Sequence, residues 1–457
     1  MDYKINIDNL DNYIENLPFY KEDELRLSDL IQIFLSKAKD KSCIIHEVGE
    51  SFYIKKGNSA KVLFHINIDD KKENLAFKIQ KDGEEVRLLA RSSVNVLASL
   101  IGILYLLEYS SENFDVLISK NSLTNNNDYA PNTLKEILRT DNIINLNLKQ
   151  ADCIADEFSA LKLFLNQVKV ERFEPDYEYL TYRLCLDDLS GGQAGEQIDR
   201  VKLNAIKFIL GLIRKIKASV DLDIISINAG SAYNYIPQNG SIDFIIKKEF
   251  KAELENIFEI VKNESIEKNL KYEPDMTISL KEIEGRKLKP ITNESFNHLA
   301  SFIELIPNGS VFVNSVDDQL VSSSNLALIK TLKNYINMII VFRSLSEESM
   351  QAMIDKTQLA ANISQSILSK RFEVGKWKNQ DPSLKEIFIK TYKQIFGEDL
   401  RVVKTQYSLD GSMIFKDLKV KIISLGVKYK KGDSSYSTSL SDLAKVIKLL
   451  EKLLGNL

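Results

Sequence analysis

The chain has 457 residues, of which 44% are hydrophobic and 27% are charged, an ordinary balance for a soluble globular protein. Its length exceeds what one hydrophobic core usually serves, so we expect roughly two or three domains. The net charge of −3 and a pI near 5.9 disfavour a nucleic-acid-binding surface. No apolar run approaches the roughly 20 residues that cross a bilayer, which disfavours a membrane protein.

Cysteine usage and the N-terminal residues bear on the cellular compartment. Cys43, Cys153 and Cys185 are odd in number and widely spaced. This pattern favours reduced thiols over a disulfide framework. The first six residues lack the apolar core of a signal peptide. We therefore expect a cytoplasmic protein.

The first third of the chain predicts strands that alternate with helices. Apolar residues at helical spacing favour a helix over 23–38, and a second apolar helix with a polar entry is predicted over 87–104. Strands are predicted at 61–68, 114–119 and 143–147. Open α/β sheets place functional groups at the carboxyl ends of their strands, so polar residues there are the first candidates for a site.

The middle of the chain has its own pattern of elements. Strands at 177–186, 222–227 and 240–246 precede a helix over 251–269. This order predicts a β-α-β-β-α-β layer, with one sheet backed by helices. A Ser-Gly-Gly-Gln-Ala-Gly loop at 190–195 stands between the first strand and the next helix. Because glycine accepts positive φ and has no Cβ, such a loop lets the backbone approach another group closely.

Several short motifs of the middle region follow one another in a fixed order. They are Ser190-Gly191-Gly192-Gln193-Ala194-Gly195, Asn234-Tyr235-Ile236-Pro237-Gln238, Pro307-Asn308-Gly309, Ser323-Ser324-Asn325-Leu326 and Arg343-Ser344. Their combined order and spacing resemble the lid-domain signature of the zinc aminoacyl-histidine dipeptidases. That family comprises bacterial relatives of carnosinase in the di-zinc exopeptidase superfamily, and the resemblance extends over nearly the whole chain.

The resemblance implies a fold class and a domain arrangement. The fold class is α/β, with a di-zinc-exopeptidase-like catalytic domain built on a mixed sheet flanked by helices. An α+β lid domain is inserted into it. The implied boundaries are 1–170 and 373–457 for the two parts of the peptidase-like domain and 171–372 for the lid. Lids of the resembled family can form dimers, so a homodimer through the lid is expected.

At the positions that match the catalytic residues of the resembled family, this chain has side chains of a different chemical type. In the family, a His-x-Asp motif, a bridging aspartate, two glutamates, a further aspartate and a C-terminal histidine hold zinc and supply the general base. The matching positions here are His65 and Asn67, Ser92, Ser122 and Leu123, Asn147, and the loop that contains Asp433. Most of these side chains lack the charge that a catalytic zinc ligand provides. The resemblance therefore predicts degenerate metal and base positions, with no catalytic residue and no metal cofactor.

Other positions correspond to the family's substrate-contacting residues. Gln193 and Gln406 replace histidines, Asp410 replaces a glutamate, and Asn234 and Arg343 are retained. We interpret these five residues as candidate substrate-binding or ligand-binding groups. A structural role in a turn or at a sheet edge is the open alternative for Asn234 and Arg343.

The leading hypothesis is a catalytically inactive homologue of a zinc aminoacyl-histidine dipeptidase. Such a protein would act by binding a peptide, a small ligand or a protein partner, with no nucleic-acid or membrane partner. Two alternatives stay open. One is an active metallo-dipeptidase that cleaves Xaa-His dipeptides and binds zinc through displaced ligands, for which the candidates are His65, Asp69, Asp70, Glu157 and Asp433. The other is a structural or oligomeric subunit.

Overall fold

A computed structural model describes residues 7–17, 25–68, 76–82, 85–90, 94–120, 131–148, 152–285, 287–406, 415, 418–431 and 436–457. The chain divides into two compact units. The first unit comprises Met1–Phe158, Trp377–Lys404 and Leu409–Leu457, and the second comprises Ser159–Lys376 with Thr405–Ser408. No helix within the described ranges is long and apolar enough to cross a membrane.

The N-terminal part of the first unit alternates helices with strands. Its helices are α1 (Ile7–Glu15), α2 (Leu27–Asp40), α3 (Val94–Tyr109) and α4 (Pro131–Ile137). Its strands are β1 (Leu25–Arg26), β2 (Ile44–Val48), β3 (Ser51–Lys55), β4 (Leu63–Ile68), β5 (Ala76–Asp82), β6 (Glu85–Ala90), β7 (Asp115–Lys120), β8 (Asn142–Asn145) and β9 (Cys153–Phe158). Helix α3 is buried along most of its length, which is why its sequence is apolar on every side.

The second unit contains long antiparallel strands and a layer of helices. Its strands are β10 (Ala160–Lys169), β11 (Tyr179–Asp187), β12 (Gly192–Gln193), β13 (Leu222–Ala229), β14 (Tyr235–Ile236), β15 (Gly240–Lys247), β16 (Thr277–Ile283), β17 (Gly309–Val313), β18 (Leu320–Thr331), β19 (Tyr335–Ser344) and β20 (Ile367–Val374). Its helices are α5 (Ala194–Gln197), α6 (Ala205–Lys217), α7 (Lys251–Asn269), α8 (Asn293–Leu305) and α9 (Glu347–Ile363). A 3-10 turn, Lys248–Phe250, precedes α7.

The C-terminal part of the chain returns to the first unit. Its strands are β21 (Trp377–Lys378), β22 (Arg401–Thr405), β23 (Lys421–Ser424), β24 (Lys430–Lys431) and β25 (Tyr436–Ser439). Its helices are α10 (Ser383–Phe396) and α11 (Leu440–Asn456). Ser439 caps α11, because its side chain accepts a hydrogen bond from the backbone N–H of Asp442.

The main sheet of the first unit is mixed. In the described part of the chain its strand order is β2-β3-β7-β4-β8-β23-β9-β21, with β22 paired to β9. Strands β7, β4, β8 and β23 are parallel neighbours, so their carboxyl ends meet at one edge. Apolar cores lie on both faces, and the larger one includes α2, α3 and α11. A smaller sheet has the order β1-β5-β6-β25-β24.

The second unit is built on an antiparallel sheet. Within the described residues its order is β16-β11-β15-β13-β18-β19-β10-β20, with β17 paired to β18. One face carries the apolar core shared with α6, α7, α8 and α9. Ile340 and Phe342 enter that core, and successive strand residues alternate between faces. Arg343 therefore projects from the opposite face of the sheet.

The predicted fold class is confirmed: a mixed α/β architecture combines a helix-flanked mixed sheet with an inserted α+β unit. Two details differ from the sequence-based expectation. The helix predicted over 87–104 begins only at Val94. Leu88 belongs to β6, where it pairs with Ile79 of β5, and burial alternates along this strand with a period of two residues. The second unit begins at Ser159 rather than 171, since β10 pairs with both β19 and β20.

Candidate functional site

Polar side chains gather at the carboxyl ends of the parallel strands in the first unit. They come from β4, β7, β8 and β23 and from the residues that follow β8. We call this group the strand-end network; its members are His65, Asn67, Ser119, Asn145, Asn147 and Ser424. His65, Asn67 and Asn147 were predicted from the sequence. The parallel register of the strands brings Ser119, Asn145 and Ser424 to the same edge. Ser119, for example, lies opposite Asn67 in the register of β4 and β7.

His65 is held from both sides of its ring. Its Nε2 lies 2.8 Å from Ser119 Oγ, and Ser119 in turn donates its hydroxyl to Asn67 Oδ1 at 2.9 Å. On the other side, Asn145 Nδ2 lies 3.2 Å from His65 Nδ1. Since the serine proton goes to Asn67, Ser119 accepts from Nε2–H, and Nδ1 accepts from the amide of Asn145. The ring is the neutral Nε2–H tautomer, with both nitrogens occupied.

Burial keeps His65 neutral. The side chain is fully buried, and Phe415 packs edge-on against it at 6.0 Å between ring centroids. This desolvation lowers the pKa of His65 to about 3. The imidazole therefore carries no charge at physiological pH, and it is surrounded by neutral amides and hydroxyls.

Asn147 ties the segment after β8 to strand β4. Its Oδ1 accepts from the backbone N–H of Asn67 at 2.8 Å, and its Nδ2 donates to the carbonyl of Asn67 at 2.8 Å. Asn145 Nδ2 also donates to Asn147 Oδ1, and Ser424 donates to Asn145 Oδ1 at 2.6 Å. A carboxylate at 147 has no N–H to give to the Asn67 carbonyl. The amide, and not an aspartate, is what this geometry requires.

The described donor set does not fit the pair of zinc ions that the resembled family uses. Zinc takes about three protein ligands at a catalytic site, drawn from histidine, cysteine and carboxylates. Among the described residues, no group of three such side chains could hold a metal ion. Both nitrogens of His65 are already engaged. Glu157, a candidate displaced ligand, lies on β9 at 3.6 Å from the Nζ of Lys404.

Several predicted site positions lie outside the described residues. They are Asp69, Asp70, Ser92, Ser122, Leu123, Asp410 and Asp433. The remaining predicted ligand-binding residues, Gln193, Asn234, Arg343 and Gln406, all belong to the second unit.

Arg343 is a buried cation that has no counter-ion among the described residues. Its residue is 4% exposed, and its guanidinium makes no hydrogen bond or ion pair in the part of the chain that the structure describes. Burial lowers the pKa of Arg343 to about 10, and the nearby Tyr233 acts in the opposite direction. The group therefore stays charged at neutral pH. An unpaired charge taken out of water is costly, so this position favours an anionic group beside it.

Strand β18 borders Arg343 and contacts the loop between β13 and β15. Ser323 pairs with Arg343 in the register of β18 and β19. Asn325, on the same face, donates to the carbonyl of Tyr235 at 2.8 Å. Gly230, at φ 80°, lies so close to this strand that a Cβ would sit 2.1 Å from the carbonyl oxygen of Ala327. Only glycine permits this approach, which places Tyr233, Asn234 and Tyr235 over the face that carries Arg343.

Gln193 and Asn234 meet in the same region. Gln193 opposes Tyr235 in the two-stranded β12–β14 ladder, and Ala194 N–H donates to the carbonyl of Asn234 at 2.8 Å. Gln193 and Asn234 therefore lie beside Tyr235, whose carbonyl accepts from Asn325 on the sheet face that carries Arg343. We call Gln193, Tyr233, Asn234, Asn325 and Arg343 the Arg343 cluster.

Gln406 is engaged by the neighbouring strand. Its Nε2 donates to the carbonyls of Leu320 and Val321 at 2.8 and 3.0 Å, and Ser323 Oγ donates to its Oε1 at 3.3 Å. Because the side chain is buried, these hydrogen bonds supply partners for both amide N–H donors and for the amide oxygen. Gln406 therefore has a structural role, since its side chain holds the start of β18 in place.

A buried carboxylate fixes the glycine-rich loop. Glu273, which is 2% exposed, accepts from the backbone N–H of Ser190 at 2.6 Å and of Leu203 at 3.2 Å. Lys202 also donates to Ser190 Oγ at 2.8 Å. Both ends of the segment that carries Gln193 are thus anchored to one side chain. Sequence reasoning missed Glu273, because it stands 83 residues after Ser190.

Asn325 was also missed as a functional candidate. Asparagine is disfavoured inside strands, and this one stands beside the apolar Leu326 in a long strand. That conflict between residue type and position was the available signal.

A cleft of about 390 Å³ lies on the second unit, lined by residues that include Arg183, Gly230 and Gly240. The guanidinium of Arg183 there is paired with Asp243 through Nε–Oδ1 and Nη2–Oδ2 contacts of 2.7 and 3.0 Å. Arg183 is therefore a paired counterpart to Arg343 on the same sheet.

Comparisons with solved structures identify the fold. The aminoacylhistidine dipeptidase from Vibrio alginolyticus superposes with a TM-score of 0.64 over 98% of this chain and 96% of that chain, at 17% identity. The fold is that of a dipeptidase. An aminopeptidase PepT from Bacillus cereus gives 0.54 over 99% of both chains at 10% identity. Human carnosine dipeptidase 1 gives 0.51 over 98% of this chain and 96% of that chain at 9% identity.

Comparison by sequence gives no corresponding match. No protein-family model matches this chain, and no curated protein matches it. At such identities the structural likeness establishes the dipeptidase fold alone, which agrees with the resemblance drawn from the motifs. Activity and ligand depend on this chain's own residues.

Proposed function

We propose that this protein is a non-hydrolysing counterpart of the dipeptidases whose fold it has. It acts by binding a small carboxylate-bearing ligand, such as a peptide, at the Arg343 cluster. The observation that carries this proposal is the strand-end network, in which neutral groups satisfy one another where a hydrolase of this fold would need charged ligands.

The chemistry of that network supports the loss of hydrolysis. A metallopeptidase needs ligands that hold its metal and a carboxylate or imidazole that moves a proton. His65 has no free nitrogen, and its low pKa removes it as a proton acceptor at neutral pH. Asn147 is oriented by its bonds to the backbone of Asn67. These described residues hydrogen-bond to one another, and both ring nitrogens of the imidazole are engaged within the network.

The binding role is supported by the contrast between the two parts of the molecule. Arg343 offers five N–H donors and no acceptor, and it is buried without a partner among the described residues. A carboxylate matches the guanidinium fork in charge and in geometry. No disulfide links Cys43, Cys153 or Cys185, which supports a reducing, cytoplasmic setting for this activity.

The decisive experiment combines metal analysis with hydrolysis and binding assays. The purified protein is incubated with zinc, desalted and measured by elemental analysis, and Xaa-His dipeptides are offered as substrates. We expect sub-stoichiometric zinc, no chelator-sensitive cleavage, and binding of N-acetylated amino acids by calorimetry. Stoichiometric zinc together with hydrolysis that a chelator abolishes would overturn the proposal in favour of the active metallo-dipeptidase.

A further inference from the structure

The antiparallel sheet of the second unit consists of two halves. The first half-sheet comprises β16, β11, β15 and β13, and the second comprises β18, β19, β10 and β20. Within each half, neighbouring strands pair at seven or more positions. Between the halves, the ladder of β13 and β18 in the described chain has two pairs, Asn228 with Lys330 and Ala229 with Ile329. We call this contact the seam; its backbone ladder alone does little to fix the angle between the half-sheets.

Side chains continue the seam beyond the ladder. The hydroxyl of Thr331 accepts from the backbone N–H of Ile227 and donates to the carbonyl of the same residue, both at 2.8 Å. Asn228 Oδ1 accepts from the backbone N–H of Thr331 at 3.1 Å. Two polar side chains thus replace the next ladder pair.

Arg172 closes this end of the seam. It lies between β10 and β11, and its guanidinium donates to four backbone carbonyls. In the first half-sheet, Nη1 donates to Ile225 at 3.1 Å. In the turn that follows β18, Nη2 donates to Leu332 at 3.1 Å and Nε donates to Lys333 at 2.7 Å. Nη1 also donates to Lys289 in the connector before α8. One side chain therefore connects both half-sheets.

Arginine suits this position better than any other residue. Its planar guanidinium presents five N–H donors in a fixed geometry, whereas a lysine offers three donors from a single point. The bulge in β13 leaves Ile225 without a counterpart on β15, so its carbonyl depends on a donor from the seam. Burial lowers the pKa of Arg172, and no ion pair with a described carboxylate offsets this. The guanidinium is held by carbonyl oxygens instead.

The Arg343 cluster spans the same seam. Asn325 and Arg343 belong to the second half-sheet, whereas Gln193 and Asn234 are attached to the first. Asn325 lies about four residues along β18 from the ladder pair of Ile329, or about 13 Å at 3.3 Å per residue. A change of about 5° in the angle between the half-sheets would shift the two sides of the cluster by about 1 Å, more than a hydrogen bond tolerates.

We propose that Arg172 is a positioning residue for ligand binding, because it holds the two half-sheets at the angle at which the Arg343 cluster fits its ligand. The proposal rests on the proposed binding function and adds a residue outside the site to it. Leu332 is about seven residues, or about 23 Å, from Asn325 along the strand direction, so Arg172 acts through the seam and not by touching the ligand. One apolar core lies beneath both half-sheets, so we expect the unit to stay folded without Arg172.

The test compares Arg172→Ala with Arg183→Ala in the full chain. Arg183 is the matched control, because its guanidinium pairs with Asp243 inside the first half-sheet. We expect calorimetry with N-acetyl-alanine to show Arg172→Ala binding at least about 10-fold more weakly than the unmodified protein, since the site is no longer preorganised. Arg183→Ala should bind within about 3-fold of the unmodified protein.

Chemical rescue separates positioning from general damage. Guanidinium chloride at about 10 mM is far below denaturing concentrations, and its cation can occupy the carbonyl cluster that Arg172→Ala leaves open. We expect it to restore most of the lost affinity in that variant and to leave the unmodified protein unchanged. Arg172→Lys, which keeps the charge without the planar fork, should have an intermediate affinity.

Hydrogen exchange followed by mass spectrometry observes the seam without any ligand. Peptides that cover 222–231 and 327–334 should exchange at least about 10-fold faster in Arg172→Ala, because the hydrogen bonds of the seam open more often. The same peptides in Arg183→Ala should exchange as in the unmodified protein.

The outcomes distinguish the positioning role from the binding function. If the unmodified protein binds the probe and folded Arg172→Ala binds it equally well, Arg172 has no positioning role. If the unmodified protein does not bind, the binding function fails; selective exchange at the seam would still show that Arg172 fixes the half-sheets, and unchanged exchange would overturn that as well. Should Arg172→Ala not fold, unchanged affinity and exchange in Arg172→Lys contradict the proposal.

Discussion

The strand-end network of the first unit and the Arg343 cluster of the second differ in whether their buried polar groups have hydrogen-bond partners. In the network, the side-chain hydrogen bonds of His65, Asn145 and Asn147 to other described residues all connect neutral groups. In the cluster, a buried cation and two buried oxygens, Asn325 Oδ1 and Gln193 Oε1, have no partner among the described residues. A satisfied network stabilises a fold, whereas unsatisfied groups lower its stability and are retained where a ligand completes them.

The first prediction tests this contrast by removing the cation from a buried ion pair. Asp115 is fully buried, and it accepts from Arg139 Nε at 3.0 Å and from the Tyr53 hydroxyl at 2.7 Å. Arg139→Met leaves that carboxylate without its cation, so we expect about 3–5 kcal/mol of destabilisation. Urea unfolding followed by circular dichroism measures it. A loss below about 1 kcal/mol would show that Arg139 contributes no more than a surface pair.

The second prediction concerns the arginine that is unpaired. Arg343→Met removes a buried charge that has no counter-ion in the described structure, so the free energy of unfolding should stay the same or rise. Binding of N-acetyl-alanine should weaken by roughly 30-fold or more, because a buried charge-assisted pair is lost. Calorimetry and urea unfolding on one preparation give both numbers.

Arg183→Met is the control for that variant. It removes the guanidinium that pairs with the buried Asp243, whose side chain is 6% exposed, so it should destabilise the protein while the folded fraction still binds the probe. If Arg343→Met is the more destabilising of the two, Arg343 has a structural role and the contrast fails.

The third prediction places a charge inside the closed network. Asn147→Asp removes the N–H that Asn67 O accepts and sets a carboxylate against that carbonyl. We expect about 1–3 kcal/mol of destabilisation near pH 7. The loss should shrink as the pH falls, since a protonated carboxyl can donate. Asn147→Ser, which removes the clamp without adding charge, is the companion variant; an equal pH dependence in both would argue against the charge explanation.

The last prediction uses the pH dependence that His65 creates. Burial lowers its pKa in the folded state to about 3, below the ordinary value near 6.5 of an unfolded chain. Between these values the unfolded state binds the extra proton. Stability should therefore decrease as the pH falls below about 6.5, at up to about 1.4 kcal/mol per pH unit.

His65→Gln keeps hydrogen-bonding capacity without a titrating group, so it isolates that contribution. The difference in unfolding free energy between wild type and variant should change by about 1 kcal/mol or more between pH 7 and pH 5. A pH-independent difference would mean that His65 is not held neutral in the folded protein.

Sequence reasoning was strongest where one residue type decides the chemistry. The neutral side chains of Asn67 and Asn147 could be read directly from the sequence, and the glycine-rich loop indicated a close approach of the backbone. It was weakest where two signals compete: Leu88 belongs to a strand, although its apolar neighbours also suited a helix. Local periodicity does not distinguish the two when the residues are partly buried on both sides.

What the sequence determined by itself is the order of the elements, the fold class and the identity of the residues at the strand ends. These follow from apolar periodicity, turn residues and the presence or absence of ionisable side chains. Only the tertiary structure decided which polar groups meet. Ser119 reaches His65 across 54 positions of sequence and Asn145 reaches it across 80, while Arg343 meets no partner in the described chain. A hydrogen bond depends on distances of a few ångströms, and only strand register and packing bring residues so far apart in sequence to that distance.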